Sequence, residues 1–97
     1  MEIKTTKYGL CIVELGTHKN NDNLYVSLVH ECGEPIADIS KNIIPLIAKD
    51  EFCANIFNIS PALWNDIMAS GFFEPTGENV RSGYCEYPIL KLVKQLA

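Results

Sequence analysis

His30 and Cys32, with one residue between them, are the closest pair among the histidines and cysteines of this chain. Zinc favours such ligands, but a structural site needs four, so His18, Cys11, Cys53 and Cys85 would have to converge on the pair from separate strands. No two of the four cysteines have Cys-x-x-Cys spacing, the signature of a metal clip or a redox pair. A Cys–His dyad for nucleophilic chemistry can be drawn with either histidine and any cysteine, and no flanking motif selects one drawing. Gly77-Glu78-Asn79-Val80-Arg81-Ser82-Gly83 superficially resembles a phosphate loop. Its spacing is one residue too long, and Tyr84 follows where the loop needs a lysine and then a hydroxyl for magnesium. The segment reads as a surface loop. Glu31 and Glu34 form a carboxylate pair on paper, but around Gly33-Pro35 they belong to an exposed turn, not to the enclosed cleft that acid–base catalysis uses. No catalytic residue, metal or cofactor is expected, and the chain does not read as an enzyme.

What remains is surface chemistry. The chain has 12 acidic and 8 basic residues, a net charge of −4, and Arg81 is its only arginine. Nucleic-acid binders neutralise phosphates with a basic face, so direct DNA or RNA binding is not expected. Glu31, Glu34 and Asp38 lie close in sequence, as do Asp50 and Glu51, yet Lys41 and Lys49 stand in these neighbourhoods, and mimicry of nucleic acid remains a weaker reading than a mildly acidic surface. Tyrosine offers rigid contact area with one polar tip, and Tyr25, Tyr84 and Tyr87 are the exposed aromatic candidates. Arg81 can bind a carboxylate or phosphate of a partner, or pair with Glu78 or Glu86. The expected partner-binding set is therefore Tyr25, Glu34, Arg81, Tyr84 and Tyr87.

The elements that must position these residues follow from pattern. At 97 residues with 47% hydrophobic and 21% charged content, a single domain over residues 1–97 is expected. Tyr8 to Leu15 is a strand, with Leu10, Ile12 and Glu14 on one face and Cys11, Val13 and Leu15 on the other. The polar loop from Gly16 to Asn23 joins it to a second strand, Leu24 to His30, as an antiparallel hairpin. Glu31 to Pro35 turns the chain, and Ile36 to Ser40 is a short third strand. Pro45 blocks a long helix in the next segment, where Ile43, Ile44, Leu46, Ile47, Phe52, Ile56 and Phe57 are all assigned to the core. A short helical turn or bulged strand there, then a strand around Phe52 to Phe57, is the expectation. Ser60-Pro61 starts a helix with Leu63, Trp64, Ile67 and Met68 on one stripe, and Gly71 ends it. Glu74 to Asn79 is a turn, Ser82-Gly83 allows another, and Tyr84 to Leu92 is the last strand, with Pro88 marking an edge or a bulge.

The fold class is α+β: a mostly antiparallel sheet of four to six strands with one main helix, 61–70, packed on one face, or that sheet curled around the helix. The opening residues MEIKTTKYGLCIVELG lack the apolar core of a signal peptide, and no apolar run reaches bilayer-crossing length. A cytoplasmic protein with no membrane contact is expected, its cysteines free buried thiols.

Gly33-Glu34-Pro35, the helix ending at Gly71, Pro75-Thr76-Gly77, Ser82-Gly83-Tyr84-Cys85 and Tyr87-Pro88 carry a resemblance over roughly residues 24 to 92. The pattern resembles an uncharacterised family of small proteins carried by phages, plasmids and conjugative elements of intestinal and Gram-positive bacteria. Asn55-Ile56-Phe57-Asn58 departs from the Asp-Thr-Asn-Asn-like stretch usual in that family. The resemblance implies a mobile-element accessory protein and no transferable catalytic residues. Three functions follow as expectations. The first is an interaction protein that binds a host protein, such as a defence nuclease inhibited in the anti-CRISPR or anti-restriction manner. The second is a small-molecule-binding or cysteine-dependent enzyme domain, and the third a structural subunit of conjugation or phage machinery.

Overall fold

The computed structural model describes residues 1–93; Lys94 to Ala97, the end of the expected domain, lie outside the described residues. The chain opens with a meander of four antiparallel strands: β1 (Glu2–Thr5), β2 (Gly9–Thr17), β3 (Leu24–His30) and β4 (Pro35–Asp38), paired in that order. The period of two explains which face is buried. Cys11 and Val13 of β2 pair with His30 and Leu28 of β3, and Cys11, Val13, Val26 and Leu28 all point into the core. Leu15, expected on that face, lies at its end and is exposed. β1 was not anticipated; with only Ile3 and Thr5 inward and Glu2 and Lys4 outward, its alternation is too short to stand out.

The expected third strand, Ile36 to Ser40, is divided. β4 stays with β3, whereas β5 (Ser40–Lys41) pairs with β6 (Glu51–Ala54) in a second sheet that β7 (Phe73–Ser82) and β8 (Cys85–Leu92) complete in the order β5-β6-β8-β7. Ile39 is the crossing point and is fully buried. Its amide donates to the Val26 carbonyl at 2.9 Å, and its own carbonyl accepts from the Asn55 amide at 2.9 Å. Ser40 Oγ accepts from the Val26 amide at 2.9 Å. Both sheets thus share one bent segment, and both backbone groups of Ile39 at the bend are bonded.

The anticipated strand around Phe52 to Phe57 stops at Ala54, and a 3-10 turn (Ile56–Asn58) follows. Ser60 then caps helix α1 (Pro61–Ala69): its Oγ accepts from the Leu63 amide at 3.3 Å, and proline at the first helical position loses no bond. The helix leaves through Gly71 at φ +79°. Its Asp66 carboxylate accepts from the Thr6 amide at 2.8 Å and from Thr6 Oγ1 at 3.3 Å, which ties α1 to the turn after β1.

Residues 74–79 form no turn; they lie inside β7 (Phe73–Ser82), the partner of β8 (Cys85–Leu92). The turn-like composition is absorbed by a bulge in which Thr76, Gly77 and Glu78 all oppose Ile89. Thr76 Oγ1 donates to the Ile89 carbonyl at 3.0 Å and accepts from the Glu78 amide at 3.2 Å. Pro88 sits opposite Asn79 at the end of that bulge, one residue past the last pairing with β6. The phosphate-loop-like segment is accordingly a strand and a hairpin turn, not a surface loop.

The fold is α+β, with two antiparallel sheets of four strands each and one main helix among the described residues. Ile3, Cys11, Val13, Val26 and Leu28 from the first sheet meet Phe52, Ala54, Phe73, Leu90 and Leu92 from the second, with Leu63 and Ile67 of α1, in one apolar cluster. No helix of the described residues is long and apolar enough to cross a membrane.

Candidate functional site

Side chains of β6, β7 and β8 that point away from the main core form a second apolar group: Cys53, Val80, Tyr87 and Ile89. Cross-strand pairing sets this, since Cys53 lies opposite Ile89 and Val80 opposite Tyr87. A sheet face this apolar needs cover. The irregular segment from Asn42 to Asp50 supplies part of it by laying Ile43 and Leu46 against the cluster. From the other side Phe57, on the 3-10 turn, meets the Tyr87 ring edge-on, with centroids 5.2 Å apart and planes at 89°. Lys41 Nζ lies 5.6 Å from the Tyr87 centroid, a cation–π distance.

The covering segment has no secondary structure of its own, so something else must hold it. Asparagines do. Asn23 is 4% exposed, and its Nδ2 donates both to Asn42 Oδ1 at 2.9 Å and to the Ile44 carbonyl at 2.6 Å. Asn23 Oδ1 accepts from the Leu46 amide at 2.9 Å. Asn21 Nδ2 adds a bond to Asn42 Oδ1 at 3.0 Å, and Asn42 Nδ2 donates to Asn20 Oδ1 at 3.2 Å. Lys49 Nζ closes the network on the carbonyls of Asn21 and Leu46 at 3.2 and 2.8 Å. The polar loop between β2 and β3 is therefore a clamp: it pins a segment of the second sheet to the first.

Clamped this way, the segment turns two of its isoleucines outward. Ile47 is 100% exposed and Ile44 43%, while Phe57 is 57% exposed. These three were assigned to the core, and the assignment fails for a geometric reason. Ile43-Ile44 and Leu46-Ile47 are adjacent pairs in irregular backbone around Pro45, so when Ile43 and Leu46 face the sheet their neighbours face away. That adjacency was the signal available in the sequence for Ile44 and Ile47.

Of the expected partner-binding residues, Arg81, Tyr84 and Tyr87 share the β7–β8 hairpin, and Tyr25 and Glu34 lie on the first sheet. Tyr84 is completely exposed, at the tip of the two-residue turn Gly83-Tyr84. Gly83 adopts φ +62°, the glycine-first pattern of a type II′ hairpin turn, whose twist suits the flanking strands. Gly83→Ala should cost about 1 kcal/mol, because a Cβ opposes that left-handed angle; a urea midpoint that falls at unchanged slope would register it.

Tyr87 is not exposed. It is 8% accessible, because its inward register position places the ring between Val80, Phe57 and Lys41. Arg81 pairs across the hairpin with Glu86 and faces opposite to Val80 and Tyr87, so it does not join their surface. Tyr25 is half-buried, and its hydroxyl donates to Asp38 Oδ1 at 2.9 Å. That bond, with some desolvation, raises the phenol above its ordinary pKa. Its ring also meets His18 edge-on at 5.3 Å. Glu34 is exposed in the β3–β4 turn.

Ligand-type sites are poorly supplied. An open groove of about 230 Å³ between β1 and α1 is lined by Glu2, Ile3, Lys4, Asp66, Ala69 and Ser70. It is smaller than the roughly 300–1,000 Å³ of small-molecule sites, and its Asp66 is already bonded to Thr6. Among the described residues, no three His, Cys, Asp or Glu side chains converge as metal ligands. The four cysteines are free: Cys11 and Cys53 are buried, Cys85 is half-buried, and Cys32 is exposed, contrary to a uniformly buried set. No protein-family model, curated protein or solved structure matches this chain.

Proposed function

We propose that this chain works by binding another protein, and that the contact surface is the rim of the second sheet's outer face, built by Ile44, Ile47, Phe57 and Tyr84. One observation carries the reading: large apolar side chains stand in solvent on segments that the fold holds in place. Ile47 sits on a loop clamped by the asparagine network and Tyr84 on a tight hairpin, each fully exposed. Exposed aromatic and aliphatic residues on rigid supports are the usual anchors of protein interfaces. Tyr87 supports this surface from beneath and is not itself a contact.

The resemblance of residues 24–92 to small mobile-element proteins supplies the setting, in which a host defence nuclease is the partner class of choice. The acidic balance of the chain suits a partner with a basic, nucleic-acid-binding surface. In this reading the protein performs no reaction of its own.

The test uses an Ile47→Ser, Tyr84→Ala double variant. Both side chains are fully exposed, so stability should stay within about 0.5 kcal/mol. Affinity purification from the native host should recover a nuclease with the unaltered protein, and the double variant should bind it at least ~10-fold more weakly. The purified nuclease should lose activity on adding the unaltered protein. Equal recovery by both forms would place the contact elsewhere, and recovery of the chain alone would remove the proposal.

A further inference from the structure

The β3–β4 turn brings an imidazole onto a thiol. His30 Nδ1 lies 3.0 Å from Cys32 Sγ, and the Cys32 amide donates to the same Nδ1 at 3.2 Å. Nδ1 therefore carries its lone pair, the ring hydrogen sits on Nε2, and Sγ–H is the group that donates to Nδ1. The contact is built into the backbone. The Gly33 amide donates to the His30 carbonyl at 2.8 Å, the His30 amide donates to the Glu34 carbonyl at 2.8 Å, and Gly33 takes φ +96°. This is the three-residue hairpin loop that ends in a left-handed glycine. It holds residues 30 and 32 at one geometry while leaving Cys32 exposed.

We propose that Cys32 is a modification site, a surface thiol with its own general base that exchanges with small cationic disulfides. As Sγ attacks one sulfur of the disulfide, its proton passes to His30 Nδ1 and a new S–S bond forms. The original S–S bond breaks, its electron pair leaves on the departing sulfur, and that thiolate takes the proton from Nδ1. Cys32 ends as a mixed disulfide and the other half of the reagent as a free thiol, so atoms and electrons balance. The preference for a cation follows from the charges at hand. Glu31 and Glu34 flank the thiol and are exposed. Leu10, whose carbonyl accepts from the Glu31 amide, carries no charge, and the Cys11 thiol opposite His30 is fully buried against Thr5 Oγ1. Cys11 and Cys53 compete poorly because both are buried, and burial raises the Cys53 pKa; Cys85 is half-buried. This site is separate from the interaction surface and does not depend on it.

The experiment treats the full chain with cystamine, then with oxidised glutathione, and follows adducts by intact mass and peptide mapping. One fast adduct at Cys32 is expected, absent in Cys32→Ser, with cystamine ahead of glutathione and that lead narrowed by salt or by Glu31→Gln with Glu34→Gln. His30→Gln should slow the reaction at least threefold at neutral pH, and the deficit should shrink at alkaline pH, where hydroxide can take the thiol proton in place of His30. A merely structural lesion would slow it equally at every pH. First labelling at Cys85, or a His30→Gln rate equal to that of the unaltered protein, would overturn the proposal. A glutathione rate matching cystamine's would overturn its cationic part.

Discussion

Phe52→Ala should destabilise the protein by about 3–5 kcal/mol, the range for removing a fully buried ring. Phe57→Ala, the same change five positions along the chain, should cost only about 1 kcal/mol. Phe52 is 1% exposed on β6, between β5 and β8. Its register partner is Leu90, and its ring meets Phe73 edge-on at 5.3 Å. Alanine there leaves a cavity shared by the two sheets, lined by side chains that strand pairing holds in place and that cannot collapse inward freely. A domain of this size holds about 5–15 kcal/mol in total, so the variant should unfold roughly 12–40 °C lower or fail to fold. Phe57 is 57% exposed and gives up mainly its ring contact with Tyr87, worth about 0.5–1.5 kcal/mol. Paired thermal and urea melts measure the contrast. Similar losses at both positions would mean that Phe57 belongs to the core after all.

These two phenylalanines also show what could be read without coordinates. Where one residue type or spacing decides the backbone, as in the alternation of β3 or the Ser60-Pro61 start of α1, local chemistry and structure agree. The hairpin of β2 and β3 and the α+β class were legible for this reason. The segment from Asn42 to Phe57 was not, because hydrophobicity alone does not say which side of an irregular chain meets a sheet. Its burial is decided by Asn23, some twenty residues earlier, and no local pattern announces that contact. β7 was hidden differently: Pro75-Thr76-Gly77 has turn chemistry, which the structure uses for a bulge within a strand. For the candidate site, Tyr84 could be placed at the surface by its hairpin, whereas Tyr87 could not be placed without knowing that β8 has β6 on one side and β7 on the other.

Asn23→Ala should cost about 2–4 kcal/mol and, under the proposed function, should also weaken partner binding. The first effect follows from satisfaction of polar groups. The amide uses both hydrogens, on Asn42 Oδ1 and the Ile44 carbonyl, and its oxygen on the Leu46 amide. Removing it leaves the Ile44 carbonyl and the Leu46 amide short of a partner, while Asn42 Oδ1 keeps its bond from Asn21, at about 1–3 kcal/mol for each group that water cannot reach. Asn23→Asp tests the mechanism more sharply. A carboxylate can still accept from Leu46, but it sets negative charge against the Ile44 carbonyl and Asn42 Oδ1, so it should be no better than alanine. Hydrogen exchange should show the Leu46 amide losing protection in Asn23→Ala. The second effect follows from rigidity, since a freed Ile47 must be ordered again on binding, at about 0.5–1.5 kcal/mol per immobilised side chain. Ile47→Ser should therefore lose binding and keep its melting point, and Asn23→Ala should lose both. If Asn23→Ala melts within about 0.5 kcal/mol of the unaltered protein, the asparagine network does not hold the loop, and the exposed isoleucines lose the support that makes them anchors.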